Sequence, residues 1–259
     1  MHIDDLPGKV CLITGSSRGI GAALAHGLGA MGMRIGVHYR SGAAEAAAVA
    51  ADITAAGGQA LLLHGDVAVP GTPERLIAEA VAHFGRLDVL INNAGDLIAR
   101  YPVADTPDDM FEQQVAINLR PVFSGCRAAV RQFRSQATQA GGGNIINLSS
   151  VAARTGGGGG SSLYASSKAF VATFTRALAR EVAAEGIRVN AVAPGVIATP
   201  LQDRTTPRDA QEAVRQQIPM RRIGSAEECV GAFLFLCSDR LSSYVTGQVL
   251  EVNGGLLMP

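Results

Sequence analysis

The stretch from Lys9 to Met31 restricts the fold of this 259-residue chain more than any other. Lys9-Val10-Cys11-Leu12-Ile13-Thr14 is a short apolar run closed by a turn signal, which predicts a buried strand. Gly15-Ser16-Ser17-Arg18-Gly19-Ile20-Gly21 follows, and then an alanine-rich helix to about Met31. Gly15 permits a tight turn, Gly19 lets backbone approach a pyrophosphate, and Gly21 lets the helix lie close on the sheet, its first amides facing the phosphates. Ser17, Arg18 and Ile20 complete the turn and count with the glycines as candidate contacts. A purely structural turn would also use glycine, and the order strand, turn, helix is what favours a dinucleotide.

The alternation continues along the chain. Strands are expected near 34–39, 60–64, 87–91, 143–149, 187–192 and 248–252, separated by helices that include a long one over about 107–135. This βαβα pattern, without linker or long repeat, predicts one α/β domain over 1–259: a Rossmann-type doubly wound, mainly parallel sheet of about seven strands with helices on both faces. The one composition shift, at about 200–220, reads as a mobile flap over the ligand edge. Hydrophobic residues make up 47% of the chain, enough for a full core, and 22 basic residues balance 22 acidic ones. That balance gives no reason to expect a nucleic acid or a membrane as partner. Cys11, Cys126, Cys229 and Cys237 form no metal-ligand spacing, so no metal is expected and buried free thiols in a reducing compartment are. With no signal-like N-terminus and no run long enough to span a bilayer, the expected location is the cytoplasm.

At the end of the second strand a dinucleotide fold reads the adenosine ribose: a carboxylate there suits the free 2′-hydroxyl of NAD, an arginine the 2′-phosphate of NADP. Tyr39-Arg40 occupies that point with no acid, and Arg18 lies in the glycine turn, so NADP(H) is expected over NAD(H). Asp66, followed by Val67 after the third strand, either accepts from an adenine amino group or caps a local turn. Asn92-Asn93-Ala94-Gly95 suits a backbone bent around a ligand at the carboxyl edge of the sheet.

Tyr164 and Lys168 are four positions apart, on one face if the segment from about Ser162 is a helix. A free tyrosine titrates near ~10, and an ammonium nearby lowers that value. Ser150 precedes a loop holding five consecutive glycines and could hydrogen-bond a carbonyl or alcohol held against Tyr164. Asn118 falls within the long helix, where asparagine is a poor residue; it marks either an exposed side chain or a kink, and Pro121 favours the kink.

In this order the Gly15–Gly21 turn, Asp66, Asn92-Asn93-Ala94-Gly95, Asn118, Ser150, Tyr164 with Lys168, and Pro194-Gly195 resemble the short-chain dehydrogenase/reductase family over nearly the full length. The 3-oxoacyl-[acyl-carrier-protein] reductases are the most similar branch. The resemblance implies a catalytic tetrad: Tyr164 as acid/base, Ser150 orienting the substrate oxygen, Lys168 binding the nicotinamide ribose and lowering the tyrosine pKa, and Asn118 holding a water. Ser149 is adjacent, and Val151 after Ser150 fits the family pattern, although the gap to Tyr164 is one residue longer than is common in that branch. Asn92, Ala94, Gly95, Pro194, Gly195, Ile197 and Thr199 would border the cofactor, with Ile197 and Thr199 at the carboxamide, and Asp66 and Val67 at the adenine. The implied activity is NADPH-dependent reduction of a carbonyl, possibly a 3-oxoacyl thioester, to a secondary alcohol. The alternatives are an NAD(P)-dependent sugar, polyol or secondary-alcohol dehydrogenase and a non-catalytic NADP-binding sensor. An acyl-carrier substrate would call for a basic rim, for which Arg100, Arg127, Arg131, Arg204, Arg208, Arg221 and Arg222 are available. A homotetramer acting on a small molecule completes the expectation.

Overall fold

The computed structural model describes residues 3–140 and 142–258, and among these the side chains of all but 137–140. The elements run β1 (Val10–Ile13), α1 (Gly19–Ala30), β2 (Arg34–Tyr39), α2 (Ala43–Ala55), β3 (Gln59–His64), α3 (Thr72–Phe84) and β4 (Val89–Asn92). Then come α4 (Asp108–Gln114), α5 (Arg120–Ala140), β5 (Gly143–Leu148), α6 (Ala152–Thr155), α7 (Ser162–Val182) and β6 (Ile187–Pro194). The chain closes with α8 (Pro200–Thr205), α9 (Arg208–Gln217), α10 (Val230–Cys237), α11 (Asp239–Ser242) and β7 (Val249–Val252).

The seven strands form one sheet in the order β3-β2-β1-β4-β5-β6-β7, and every pair is parallel. A parallel sheet is covered on both faces, so its central strands are apolar throughout. In β1, Cys11 and Ile13 join a cluster with Leu24 of α1, Val49 of α2 and Phe233 of α10. Val10 and Leu12 face the other way, into a cluster with Leu76 of α3, Phe133 of α5 and Val171 of α7. The period of two along one strand therefore feeds two cores. The order in which strands are added reverses between β1 and β4, and this switch point places a crevice outside their carboxyl ends.

The long helix expected over 107–135 is broken: a π-helical turn, Val115–Leu119, separates α4 from α5. Pro121 lacks the amide that would bond back one turn, and Asn118 spends its side chain outside the helix, so the regular ladder widens there. The polar stretch expected as a flap is two short helices, α8 and α9. Thr199 caps α8 by accepting from the Gln202 amide at 3.4 Å. No helix among the described residues is long and apolar enough to cross a membrane.

Candidate active site

The glycine turn after β1 is pinned from two sides. The Gly15 amide donates to His38 Nδ1 at 2.8 Å, while His38 Nε2 bonds the Gly65 carbonyl at 3.0 Å. This pattern requires the proton on Nε2 and a neutral ring. On the other side Asn93 Nδ2 donates to the Thr14 and Gly15 carbonyls at 2.8 and 3.0 Å, and Thr14 Oγ1 accepts from the Asn93 and Ala94 amides at 3.0 Å each. Gly21 closes the arrangement: a Cβ there would stand 2.2 Å from the Gly15 carbonyl oxygen and 2.6 Å from Asn93 Nδ2.

Burial holds the His38 pKa down, from 6.5 to about 4. Because the folded value lies below the unfolded one, His38 contributes its stabilisation fully above pH 6.5 and loses it as the pH falls toward 4. Between pH 7 and pH 5 the unfolding free energy should fall by about 2 kcal/mol on this account. Denaturant titration of wild type and His38→Asn at both pH values checks this, since the asparagine oxygen can still accept from Gly15 but does not titrate. Parallel losses in the two proteins would contradict it.

Two adjoining cavities open at the carboxyl edge. The first, about 330 Å³, is lined by Gly15, Ser17, Arg18, Gly19, Ile20, Gly21, Tyr39, Arg40, Asp66, Val67, Ala94 and Gly95, as expected from sequence. The second, about 460 Å³, is lined by Ser150, Tyr164, Pro194, Gly195 and Ile197, and Ile20 and Thr199 border both. Asn92 joins neither. It ends β4 and continues its buried run, with Nδ2 bonded to Asn147 Oδ1 at 2.9 Å and to Cys126 Sγ at 3.4 Å, so the side chain expected at the cofactor is a core group. Asn93, one residue beyond the strand, takes the role at the turn.

The first cavity fits a dinucleotide. Arg18 at the start of α1 makes no side-chain cap, which leaves the first helical amides free to face a phosphate. One expectation there needs correcting. Arg40 does meet a carboxylate, Asp66, at 3.7 Å, because β2 and β3 pair in register and bring their carboxyl ends together. Asp66 also accepts from the Ala68 amide at 2.9 Å, the local turn cap that its position allows. With Arg40 more than half exposed, a pair at this distance is a weak one.

At the second cavity, Tyr164 and Ser150 stand on the same wall, and Ser150 Oγ accepts from the Ala152 amide at 3.1 Å. Ser149 is turned away: it is buried, and its Oγ donates to the Lys168 carbonyl at 2.9 Å. The choice between the two serines is thus made by which one faces the phenol. Lys168 Nζ lies 5.7 Å from the centre of the Tyr164 ring and donates to the Leu148 carbonyl at 2.8 Å. Burial pushes the Lys168 pKa down to about 8. Burial also raises the Tyr164 pKa, with the Ser150 hydrogen bond opposing it. The lowering expected from the ammonium is not what the chain alone gives, since at this separation burial of the phenol dominates.

Lys168 and Asn118 lie behind Gly95, where a Cβ would fall 2.7 Å from Asn118 Oδ1 and 3.2 Å from Lys168 Nζ. Asn118 is buried, with Nδ2 donating to the Asp96 carbonyl at 2.8 Å and Oδ1 accepting from the Asp96 amide at 2.9 Å. Its side chain therefore shapes the 95–96 turn. His38 was not singled out from sequence, although a lone histidine inside an apolar strand is a signal of its kind, and Asn93 was named only as part of its turn. All four cysteines are buried and free, and no cluster of metal-ligating side chains occurs among the described residues.

This geometry has relatives. A family model described as enoyl-(acyl carrier protein) reductase matches residues 15–257. A 3-oxoacyl-[acyl-carrier-protein] reductase of Synechocystis is 38% identical over 257 residues, covering 98% of each chain. The 3beta-hydroxysteroid dehydrogenase 1 of Eggerthella lenta is 39% identical over 256 residues, covering 98% of this chain and 96% of the relative. Among solved structures, the NADH-dependent reductase A1-R′ responsible for alginate metabolism superposes with a TM-score of 0.90 at 34% identity, over 98% of this chain and 99% of the other. The chain belongs to the short-chain dehydrogenase/reductase family, and is an NAD(P)-dependent dehydrogenase/reductase.

Proposed function

We propose that this protein reduces a small carbonyl compound to a secondary alcohol, with NADPH preferred over NADH. The observation that carries the reading is the placement of Ser150 and Tyr164 together on the wall of a cavity that shares Ile20 and Thr199 with the glycine-turn cavity. A nicotinamide dinucleotide supplies the hydride when bound in the first cavity. Ser150 orients the carbonyl oxygen of a substrate in the second, and Tyr164 donates the proton to it. Lys168, charged at neutral pH with its pKa near 8, stands close enough to stabilise the phenolate left behind. Complete loss of any one partner is what a mere binding module would tolerate, and none is lost.

The preference for NADPH rests on Arg18 and Arg40 at the first cavity. A 2′-phosphate carries more charge than Asp66 and would draw Arg40 from its weak pair. Arg40→Ala should lower the NADPH to NADH ratio of kcat/KM by ~10–100-fold, through NADPH alone. An unchanged ratio in initial rates would remove Arg40 from the account. The family also includes dehydrogenases that run the same proton path in reverse.

For an acyl-carrier-protein substrate the support is thinner. Arg127 pairs with Glu74, Arg204 with Asp96 and Arg222 with Glu228, so much of the expected basic rim is already neutralised. A free small molecule is the better match. We also propose a homotetramer built on α5 and α7, where Phe123 is exposed beside the stacked Phe170 and Phe174 rings.

A further inference from the structure

The second cavity has one charged side chain among its lining residues, Arg100, and no carboxylate. Arg100 stands where the three segments around the substrate space meet. Its Nε donates to the Thr205 carbonyl at the end of α8 at 2.8 Å, its Nη2 to Thr206 Oγ1 at 3.3 Å, and its Nη1 to the Gly159 carbonyl of the glycine loop at 3.2 Å. The adjacent Tyr101 amide donates to the Gly160 carbonyl at 3.0 Å and fixes the same loop. Every one of these acceptors is neutral. The other arginines around the crevice differ: Arg204 meets Asp96, and Arg40 meets Asp66. Arg100 thus brings a positive charge to the cavity wall with no counter-charge there.

A guanidinium has five N–H donors, and three are engaged by these contacts, which leaves one on each terminal nitrogen. Two parallel N–H groups at that end match the two oxygens of a carboxylate. Arg100 and Tyr164 line the same cavity, so a substrate group held by Arg100 shares that space with the phenol.

We propose that Arg100 selects the substrate, and that this substrate carries a carboxylate on the same small molecule as the carbonyl that is reduced. The enzyme is then an oxo-acid reductase, a narrowing that rests on the carbonyl-reductase reading. The size of the cavity, about 460 Å³, suits a short or medium oxo acid or an oxidised sugar acid. In a reaction sequence, a step that generates an oxo acid, by oxidation or elimination, would supply it.

The test compares each of pyruvate, acetoacetate and levulinate with its methyl ester in NADPH-dependent initial rates, for wild type, Arg100→Lys and Arg100→Gln. For at least one pair, wild type should favour the acid by about 30-fold in kcat/KM, the size expected of a charge-assisted bidentate contact. Arg100→Gln should abolish that preference, raising KM for the acid far more than for the ester. Arg100→Lys should retain part of it. Esters reduced as well as acids in every pair, or equal losses for acid and ester in Arg100→Gln, would overturn the proposal and reduce Arg100 to a clasp on the loops. A second measurement does not depend on turnover: calorimetric titration of the NADP⁺-saturated protein with butyrate and with methyl butyrate. Butyrate binding that requires Arg100 supports the carboxylate site even if no carbonyl is turned over, an outcome that would instead sink the reductase reading. Equal binding of both, or none, goes against the carboxylate site.

Discussion

Tyr164→Phe should fold, bind the nicotinamide cofactor as wild type does, and lose at least ~1000-fold in kcat/KM. The change removes one hydroxyl from a ring that keeps its place over Lys168. In stability it costs about 1 kcal/mol at most, the ordinary net value of a single hydrogen bond. In the proposed mechanism the same atom is the proton donor at the substrate space, and positioned general acids contribute ~10²–10⁴-fold. The contrast between a small structural and a large catalytic effect is the diagnostic. Circular dichroism, cofactor titration and initial rates on one preparation read all three. Substantial residual turnover would place the proton transfer elsewhere.

Gly21→Ala should be the most damaging single methyl in the cofactor region. The new Cβ would stand 2.2 Å from the Gly15 carbonyl oxygen, a backbone atom whose position is held by Asn93 and, through the neighbouring amide, by His38. A flexible side chain could yield, but this turn cannot without parting α1 from the sheet. Overpacking of this kind costs about 1–3 kcal/mol or more, and for a chain of this size each kcal/mol moves Tm by about 2–4 °C. A fall in Tm of about 5–10 °C and a loss of at least ~100-fold in NADPH affinity are expected. A variant with wild-type melting and wild-type affinity would show that α1 does not approach the turn as closely as described.

The sequence carried the strands and the site far better than it carried side-chain direction. Buried parallel strands are apolar on both faces, so the central strands stand out as runs between glycine and asparagine signals, and β2 is bounded as expected at Arg34 and Tyr39. The glycine turn, Ser150, Tyr164 and Lys168 are legible because spacing on a turn and a helix fixes where they meet. What spacing does not fix is which of two neighbours points at the ligand. Asn92 and Asn93 differ only in lying inside or just beyond β4, and that one step sends the first side chain to Cys126 and the second to the glycine turn. Contacts between distant segments were also out of reach. Arg40 with Asp66, Arg204 with Asp96, and Asn118 with the Asp96 backbone each depend on tertiary placement that no local pattern encodes. The tyrosine showed the same limit: a lysine four positions away suggests a lowered pKa, whereas burial, invisible in sequence, sets the opposite direction.

The most direct test of the central claim follows NADPH consumption with the purified protein against a panel of ketones, oxo acids, keto sugars and an acetoacetyl thioester, with the product identified in each case. The account predicts that at least one carbonyl is reduced stoichiometrically to its secondary alcohol, faster with NADPH than with NADH, and fastest where a carboxylate accompanies the carbonyl. Tight NADPH binding with no consumption against any member of the panel would contradict it, and would leave a cofactor-binding protein in place of an enzyme.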